Sequence, residues 1–185
     1  MKPAVAIFIA PGTEETEAIA VLDVLRRGQV DASLVSIEQR QVSGAHGITL
    51  TADTTIQELA PSQLFDAIVL PGGLPGANHL DECTQLEEII QRHHEAGKYL
   101  CAICAAPMVL GKRGLLQGKK ASAYPGFQQH LTGAQYSNEG VSEDGQFITG
   151  RGPAYAFHFA LSVLQAVTNK ATAEEVAAGL LMNGR

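Results

Sequence analysis

The chain has 185 residues, the length of one domain, and we predict that residues 1–185 fold as a single domain. A hydrophobic content of 45% and a charged content of 17% exclude an intrinsically disordered protein. The formal net charge of -6, without a cluster of lysine and arginine, argues against stable binding of nucleic acid.

The chain contains 3 cysteines, and an odd number does not indicate a disulfide framework. No apolar run reaches the roughly 18 residues that a membrane-spanning helix needs. The first residues also show no signal-peptide pattern. We therefore predict a protein of the reducing cytoplasm that has no membrane partner.

Apolar strand-like runs alternate with helical patterns along the chain, which indicates an α/β sandwich with a mostly parallel, doubly wound sheet. In chain order, the predicted elements are a strand at 4–10, a helix at 14–27 with Thr13 as its N-cap, a strand at 32–37, a hairpin at 41–52, a strand at 67–70, a helix at 84–96, a strand at 99–103, a helix at 105–116, a short strand at 121–123, a hairpin within 135–149, and helices at 154–168 and 172–181. Because ligands of such folds bind beyond the carboxyl ends of the strands, residues that follow strands are the candidates for a site.

Cys104 directly follows the strand-like run 99–103 and directly precedes a predicted helix. The start of a helix offers free N–H groups and a partial positive charge, and both favour a thiolate over a thiol. The position therefore predicts a nucleophile with a depressed pKa. A buried structural cysteine is the alternative.

Glu17 lies in the first turns of the first predicted helix, at the same edge of the predicted sheet as Cys104. A carboxyl beside a thiol can exchange a proton with it, and burial would raise the pKa of that carboxyl. Glu14 and Glu15 compete for this role. The alternative is an acidic first turn that is solvated.

Gly72 and Gly73 follow the predicted strand at 67–70, and glycine permits backbone conformations that bring an N–H group close to a reacting atom. One such N–H group could form an oxyanion hole together with that of Ala105. A tight loop that only leaves the strand is the alternative. The run does not match the glycine pattern of a nucleotide-binding loop.

Cys101 and Cys104 are spaced as C-x-x-C, but we do not interpret them as a redox pair. In an extended strand, three residues span roughly 10 Å, whereas a disulfide needs Cα atoms within about 7 Å. We predict that Cys101 belongs to the core. His93 and His94 are predicted to be exposed late on a polar helix, and no spacing of histidines predicts a metal site.

Four motifs occur together in a family-like order: residues 10–17 (APGTEETE), 69–73 (VLPGG), 102–107 (AICAAP) and 151–153 (RGP). With them the chain resembles the ThiJ/PfpI superfamily, in its DJ-one/YajL branch, over nearly its whole length. The resemblance implies a flavodoxin-like sandwich, a homodimer and a cofactor-independent enzyme.

The resemblance also implies roles for individual residues. Cys104 would be the nucleophile, Glu17 a protonated carboxyl that is hydrogen-bonded to the sulfur, and the amides of Gly73 and Ala105 the oxyanion-type donors. Arg27 would reach across the dimer. Such proteins are reported to convert methylglyoxal to lactate and, with dispute, to repair glycated proteins and nucleotides. They are also reported to act as redox-responsive chaperones.

Two positions depart from the pattern of related proteins. Tyr124 stands where animal relatives have a histidine near the thiol, and His46 stands where relatives have an arginine. We therefore expect weaker or more pH-sensitive anion binding beside Cys104. Ala105 replaces the histidine that follows the nucleophile in PfpI-type proteases, which disfavours a Cys-His triad.

The sequence leaves three hypotheses. The first is an enzyme in which Cys104 attacks a small α-oxoaldehyde or its glycation adduct, as a glyoxalase III-type lyase or a deglycase-type hydrolase without metal or cofactor. The second is a redox sensor or redox-regulated chaperone with an oxidisable Cys104. The third is an interaction module whose site has decayed, as Tyr124 and His46 would allow.

Overall fold

The computed structural model describes residues 2–182, and in this part of the chain a sheet of seven strands forms the centre of the molecule. The strands are β1 (Ala4–Ile9), β2 (Asp31–Ser36), β3 (Gln41–Ser43), β4 (Thr49–Thr51), β5 (Thr54–Thr55), β6 (Ala67–Leu70), β7 (Tyr99–Ile103), β8 (Lys120–Ala121), β9 (Gln135–Tyr136), β10 (Val141–Asp144) and β11 (Phe147–Gly150). The order across the central sheet is β10-β11-β7-β6-β1-β2-β5. Strand β10 is antiparallel to β11, and the other neighbours are parallel.

Helices flank this sheet on both sides. They are α1 (Glu15–Arg27), α2 (Gly76–Glu82), α3 (Thr84–Glu95), α4 (Pro107–Lys112), α5 (Ala156–Val167) and α6 (Lys170–Gly179). Contacts group α1 with α5 and α6, and α2 with α3 and α4. This arrangement confirms the predicted three-layer α/β sandwich. Within residues 2–182, no helix is long and apolar enough to cross a membrane.

The central strands form because their sequences are almost continuously apolar. All residues of β6 are buried, and β1 and β7 are buried except for their first residues. Parallel strands covered by helices on both faces bury side chains on both sides, so they lack the alternating pattern of a half-exposed strand. The pairing of β6 with β1 on one side and β7 on the other brings the carboxyl ends of the three strands together.

The first helix begins one residue later than the sequence predicts. Glu14 is its N-cap, and the Glu14 side chain accepts a hydrogen bond from the amide of Thr16 at 3.3 Å. Thr13 was the predicted N-cap, but its hydroxyl oxygen accepts from the amide of Ala10 at 2.9 Å. The prediction was wrong because the Thr13 side chain closes the turn after β1 instead of the helix.

The predicted hairpin at 41–52 is confirmed as the antiparallel pair of β3 and β4. It is joined to the turn after β1 by two backbone hydrogen bonds: the amide of Gly12 donates to Ser43 O at 2.8 Å, and the amide of Ala45 donates to Thr13 O at 2.9 Å. These bonds bring the tip of the hairpin beside the start of α1, which positions His46.

Several predicted boundaries differ from the structure in the second half of the chain. Helix α2 was not predicted, and α4 ends at Lys112 rather than at 116 because Gly114 adopts a positive φ of 70°. The C-terminal hairpin consists of β10 and β11, which Gly145 joins at a φ of 63°. Strand β9 lies outside this hairpin and pairs in parallel with β8.

His93 is fully buried, so its predicted exposure on α3 was wrong. Its Nε2 accepts a hydrogen bond from the amide of Phe65 at 2.9 Å, and its Nδ1 bonds to Ile89 O at 2.7 Å. The ring also stacks on Phe65 with a centroid distance of 6.0 Å. The polar sequence around His93 hid this role, because a histidine with two backbone partners can be buried without an unsatisfied nitrogen.

Candidate active site

Cys104 occupies the corner between β7 and α4 with a φ of 65°. This left-handed conformation is uncommon for a residue with a side chain and indicates a position that its surroundings hold in place. The Cys104 amide donates to Gly150 O at 2.9 Å, and the Cys104 carbonyl accepts from the amide of Tyr124 at 2.8 Å. Both peptide groups of the residue are therefore fixed, and the side chain is presented at the end of the sheet.

Glu17 lies beside this sulfur and is fully buried. Its Oε2 accepts a hydrogen bond from the amide of Gly72 at 2.7 Å, and the neighbouring Cys104 thiol lowers the pKa of the carboxyl. Its Oε1 is buried without a hydrogen-bond partner among the described residues. Of the three candidate glutamates, Glu17 is thus the one that contacts the thiol.

The amides of Gly73 and Ala105 lie beside the sulfur, where their N–H groups favour the thiolate and lower the pKa of Cys104. Gly73 can present its amide because its φ is 87°, a conformation that glycine adopts without strain. The sulfur is therefore surrounded by two N–H groups and one carboxyl group. The structure brings together four of the residues that the sequence selected.

Gly72 permits this close approach for a steric reason. A Cβ atom at this position would lie 2.6 Å from Cys104 Cβ and 2.9 Å from the Ala105 amide nitrogen. Both distances are shorter than van der Waals contact. The glycine is therefore needed to let the β6 exit lie against the Cys104 corner.

The two titratable groups ionise as a pair. Burial raises the pKa of Glu17 to about 7, and burial together with the Glu17 charge raises the pKa of Cys104 to about 12. The pair therefore loses one proton near neutral pH and keeps the second far into the alkaline range. The amides of Gly73 and Ala105 lower the pKa of Cys104, and that of Gly72 lowers the pKa of Glu17, but burial outweighs these effects in both groups.

The expectation of a thiol whose own pKa is depressed was wrong in that form. That expectation rested on the N–H groups at the helix start and left out burial. Cys104 is only 9% exposed, and burial of its sulfur removes the hydration that would stabilise a thiolate. The ionisation near pH 7 belongs to the Cys104–Glu17 pair rather than to the cysteine alone.

The thiol opens into a cleft of about 620 Å³. Its lining residues come from six segments and are Glu14, Ala45, His46, Gly73, Leu74, Cys104, Ala105, Tyr124, Phe127 and Pro153. His46 and Tyr124, which the sequence selected, are among them. Leu74, Phe127 and Pro153 were missed, because nothing in their local sequence shows that they border a thiol far away in the chain.

Glu14, Glu15 and His46 form a charged cluster at the mouth of this cleft. His46 Nδ1 lies 3.0 Å from Glu15 Oε2 and 3.4 Å from Glu14 Oε2. The hydrogen bond to Glu15 and the two carboxylate charges raise the pKa of His46. Burial opposes ionisation of Glu15, but hydrogen bonds from its own amide and from His46 outweigh burial and lower its pKa.

The same cluster is a group whose donor atoms lie within 4.8 Å of one another, the spacing of metal ligands. Sequence reasoning did not identify it, since the glutamates and His46 are about thirty positions apart. The carboxylates and the imidazole already pair with one another. This pairing accounts for the cluster without an ion.

Two further residues considered in the sequence lie away from the cleft. Arg27 is half-exposed, and its Nε lies 2.6 Å from Asp23 Oδ2 on α1. Cys101 is fully buried within β7, and burial raises its pKa far above the ordinary value for a thiol. All three cysteines are free in the structure, which agrees with rejecting the C-x-x-C pair.

Comparison with known proteins gives a family match over most of the chain. The model of the DJ-1/PfpI family matches residues 3–166. Protein DJ-1 homolog A of Arabidopsis thaliana is 42% identical over 182 residues, and protein dj-1beta of Drosophila melanogaster is 35% identical over 185 residues. The chain covers 98% of the Drosophila protein but only 46% of the Arabidopsis protein, so it spans less than half of that relative.

Solved structures show the same fold over nearly the whole chain. An oxidized Toxoplasma gondii DJ-1 superposes with a TM-score of 0.93 at 34% identity, and the match covers 97% of this chain and 98% of that one. Drosophila melanogaster DJ-1beta superposes with a TM-score of 0.93 at 35% identity, covering 98% of both chains. These matches confirm the predicted flavodoxin-like sandwich and the predicted superfamily.

Proposed function

The chain belongs to the DJ-1/PfpI family, and we propose that it is a cysteine-dependent enzyme that converts small α-oxoaldehydes to 2-hydroxy acids without a cofactor. This family has a role in oxidative stress and includes proteases and deglycases. The observation that carries the proposal is the meeting of the Cys104 thiol, the Glu17 carboxyl and two backbone amides at one end of an open cleft. That set supplies a nucleophile, a proton carrier and oxyanion donors.

The first step is addition of Cys104 Sγ to the aldehyde carbon. A C–S bond forms, and the proton of the Cys104–Glu17 pair passes to the former aldehyde oxygen, which gives a hemithioacetal. The amides of Gly73 and Ala105, which lie beside the sulfur, would donate to the new C–O group and stabilise its developing charge.

The second step moves a proton between the two substrate carbons. The Glu17 carboxylate removes the proton from the former aldehyde carbon and returns it to the neighbouring carbon through an enediol, which gives a thioester of a 2-hydroxy acid. Water then breaks the C–S bond, releases the acid and restores the thiol. No electron acceptor is consumed, because one carbon is oxidised while its neighbour is reduced.

A glycation adduct fits the same chemistry. The sulfur would attack the carbon that carries the amine, the amine would leave with a proton, and the remaining steps would be those of the free aldehyde. The deglycase reaction is thus a variant of the proposed activity with a different leaving group.

Turnover of methylglyoxal tests the proposal. We expect the wild-type protein to form lactate from methylglyoxal without added cofactor, and we expect Cys104→Ala to lose this activity. Lactate formation should be followed directly, because disappearance of methylglyoxal alone also reports its binding to protein amines. Equal rates of lactate formation by both proteins would overturn the proposal.

A second candidate function is redox sensing or redox-regulated chaperone activity through Cys104. The same two amides that face the sulfur would stabilise a sulfinate, and the thiol reaches solvent through the cleft. Intact-mass measurement after mild peroxide should show a gain of about 32 Da at Cys104, the mass of two oxygens in a sulfinate. Clean sulfinate formation with no lactate formation would favour the sensor over the enzyme.

We also propose a homodimer in a reducing compartment such as the cytoplasm. DJ-1 family proteins are generally dimeric. Two apolar side chains that a partner could cover are exposed: Ile19 on α1 exposes 43% of its surface, and Ile48 between β3 and β4 exposes 57%. Light scattering should give about twice the chain mass of 19.5 kDa. A monomer at micromolar concentration would contradict this assignment and the cross-dimer role of Arg27.

A further inference from the structure

Resting on the proposed function, we infer that the preferred substrates are uncharged α-oxoaldehydes with an aromatic or bulky apolar substituent, held by Phe127 and Tyr124. A carboxylate on that substituent should be rejected. The size of the cleft, the apolar part of its wall and the charge at its mouth support this inference.

The cleft is larger than a three-carbon aldehyde requires. Its volume of about 620 Å³ lies in the range of roughly 300–1,000 Å³ that holds drug-sized ligands. Methylglyoxal would therefore leave most of the cleft wet, while a larger substituent would displace that water and bury apolar surface. The size alone favours an extended substrate.

Part of the cleft wall is apolar. Tyr124, Phe127, Leu74 and Pro153 line it, and Tyr124 and Leu74 expose 47% and 51% of their surfaces. An aromatic substituent can bury this surface and stack against the two rings, and an aromatic pair contributes about 0.5–1.5 kcal/mol beyond area burial. A methyl group offers little of either contribution.

Both aromatic residues are connected to the nucleophile through the backbone. The amide of Tyr124 donates to Cys104 O at 2.8 Å, and the amide of Phe127 donates to Tyr124 O at 3.0 Å. Phe127 also packs at 6.0 Å from the His130 ring. The aromatic wall therefore has a defined position relative to the sulfur, as a specificity-determining surface requires.

The charge at the mouth of the cleft disfavours anions. Among the described residues that line the cleft, none is lysine or arginine, and Glu14 contributes a carboxylate. Glu14 and Glu15 together outnumber the one imidazole that they contact, so the cluster stays negative when His46 is protonated. A carboxylate on the substrate would also approach the negative charge of the Cys104–Glu17 pair.

A matched series of three aldehydes tests the inference: methylglyoxal, phenylglyoxal and 4-carboxyphenylglyoxal. We expect kcat/KM for phenylglyoxal to exceed that for methylglyoxal by at least about 10-fold after correction for intrinsic reactivity with free thiol, because an apolar pocket discriminates by this order per small group. We expect kcat/KM for 4-carboxyphenylglyoxal to fall below that for phenylglyoxal by a similar factor.

Variants distinguish the contribution of the aromatic wall to substrate preference from general effects of a substitution on folding. Phe127→Ala should reduce the phenylglyoxal-to-methylglyoxal ratio at least about 5-fold, and Phe127→Leu, which keeps apolar volume, should reduce it less. Phe157→Ala is the matched control, since Phe157 is 42% exposed but does not line the cleft, and it should leave the ratio unchanged. Glu14→Gln should improve the relative kcat/KM of the carboxylated substrate.

The outcomes distinguish this inference from the proposed function. Cys104-dependent formation of lactate with no preference for phenylglyoxal, or with a preference that Phe127→Ala does not alter, would overturn the inference and leave the enzyme. No turnover of any of the three aldehydes would overturn both.

Discussion

Cys101 and Cys104 lie three residues apart, yet the fold places them in different environments. Cys101 is inside β7, fully buried between helices, and burial raises its pKa far above the ordinary value. Cys104 lies one residue beyond the same strand, where two amides and a carboxyl surround its sulfur and a cleft opens beside it. A cysteine inside the strand is therefore part of the core, whereas a cysteine one residue beyond the strand end can take part in chemistry.

The largest expected effect comes from substituting each sulfur in turn. Cys104→Ala should reduce formation of the 2-hydroxy acid by about 10³-fold or more, because loss of a covalent nucleophile removes the pathway. Cys101→Ala should leave kcat/KM nearly unchanged and reduce stability by about 1 kcal/mol through a small cavity. Steady-state kinetics and chemical denaturation measure the two effects.

The contrast between the cysteines would fail if Cys101→Ala abolished activity in a protein that still unfolds cooperatively. It would also fail if iodoacetamide modified Cys101 as fast as Cys104 in the native protein.

The second prediction concerns Glu17, the carboxyl that lies beside Cys104 and not beside Cys101. The alkylation rate of Cys104 should rise with pH through about 7, where the pair loses its first proton. Glu17→Gln should move this rise to higher pH, because a coupled pair begins to ionise no later than either member alone. The same variant should lose roughly 100-fold or more in turnover, the usual contribution of a general acid–base group.

The pH profile of iodoacetamide modification in both proteins provides the measurement. An identical profile in wild type and Glu17→Gln would show that the carboxyl and the sulfur are not coupled, whatever happens to turnover.

The third prediction tests the close packing around Cys104. Gly72→Ala would place a Cβ atom 2.6 Å from Cys104 Cβ, so we expect a loss of about 1–3 kcal/mol from overpacking and a displaced Ala105 amide. Gly179→Ala is the control, because nothing lies within 4 Å of a Cβ at that position and alanine favours the helix. Thermal unfolding and the Cys104 alkylation profile should change in the first variant only.

The smallest expected effect concerns His93, a buried polar group that has no chemical role. Burial lowers the pKa of His93 from its ordinary 6.5, so the folded protein keeps the ring neutral where the unfolded chain binds a proton. Stability should therefore decrease as the pH falls below about 6.5. His93→Gln should weaken this dependence and cost about 1–3 kcal/mol at neutral pH by disturbing the bond from the Phe65 amide.

Urea denaturation at pH 5, 6 and 7 measures this dependence. His158→Gln changes an exposed histidine and serves as the control. An acid dependence that survives in His93→Gln would assign it to another group.

Strand ends and the cysteine corner were predictable because local sequence determines them. A run such as 99–103 is apolar enough to require burial on both faces, and a cysteine followed by Ala105, Ala106 and Pro107 fits the start of a helix. The shortened α4 was less predictable, since its end depends on the positive φ of Gly114. The burial of His93 was not predictable, because its partners Phe65 and Ile89 are identified only by packing.

The sequence by itself determined the α/β alternation, the strand ends where a site can form, and the residue types available there. Only the tertiary structure decided that Glu17 rather than Glu14 or Glu15 meets the sulfur, and that Phe127 and Leu74 border the same cleft. The physical reason is that hydrophobic periodicity is a local property, whereas pKa values and the shape of a cleft depend on contacts between segments far apart in the chain.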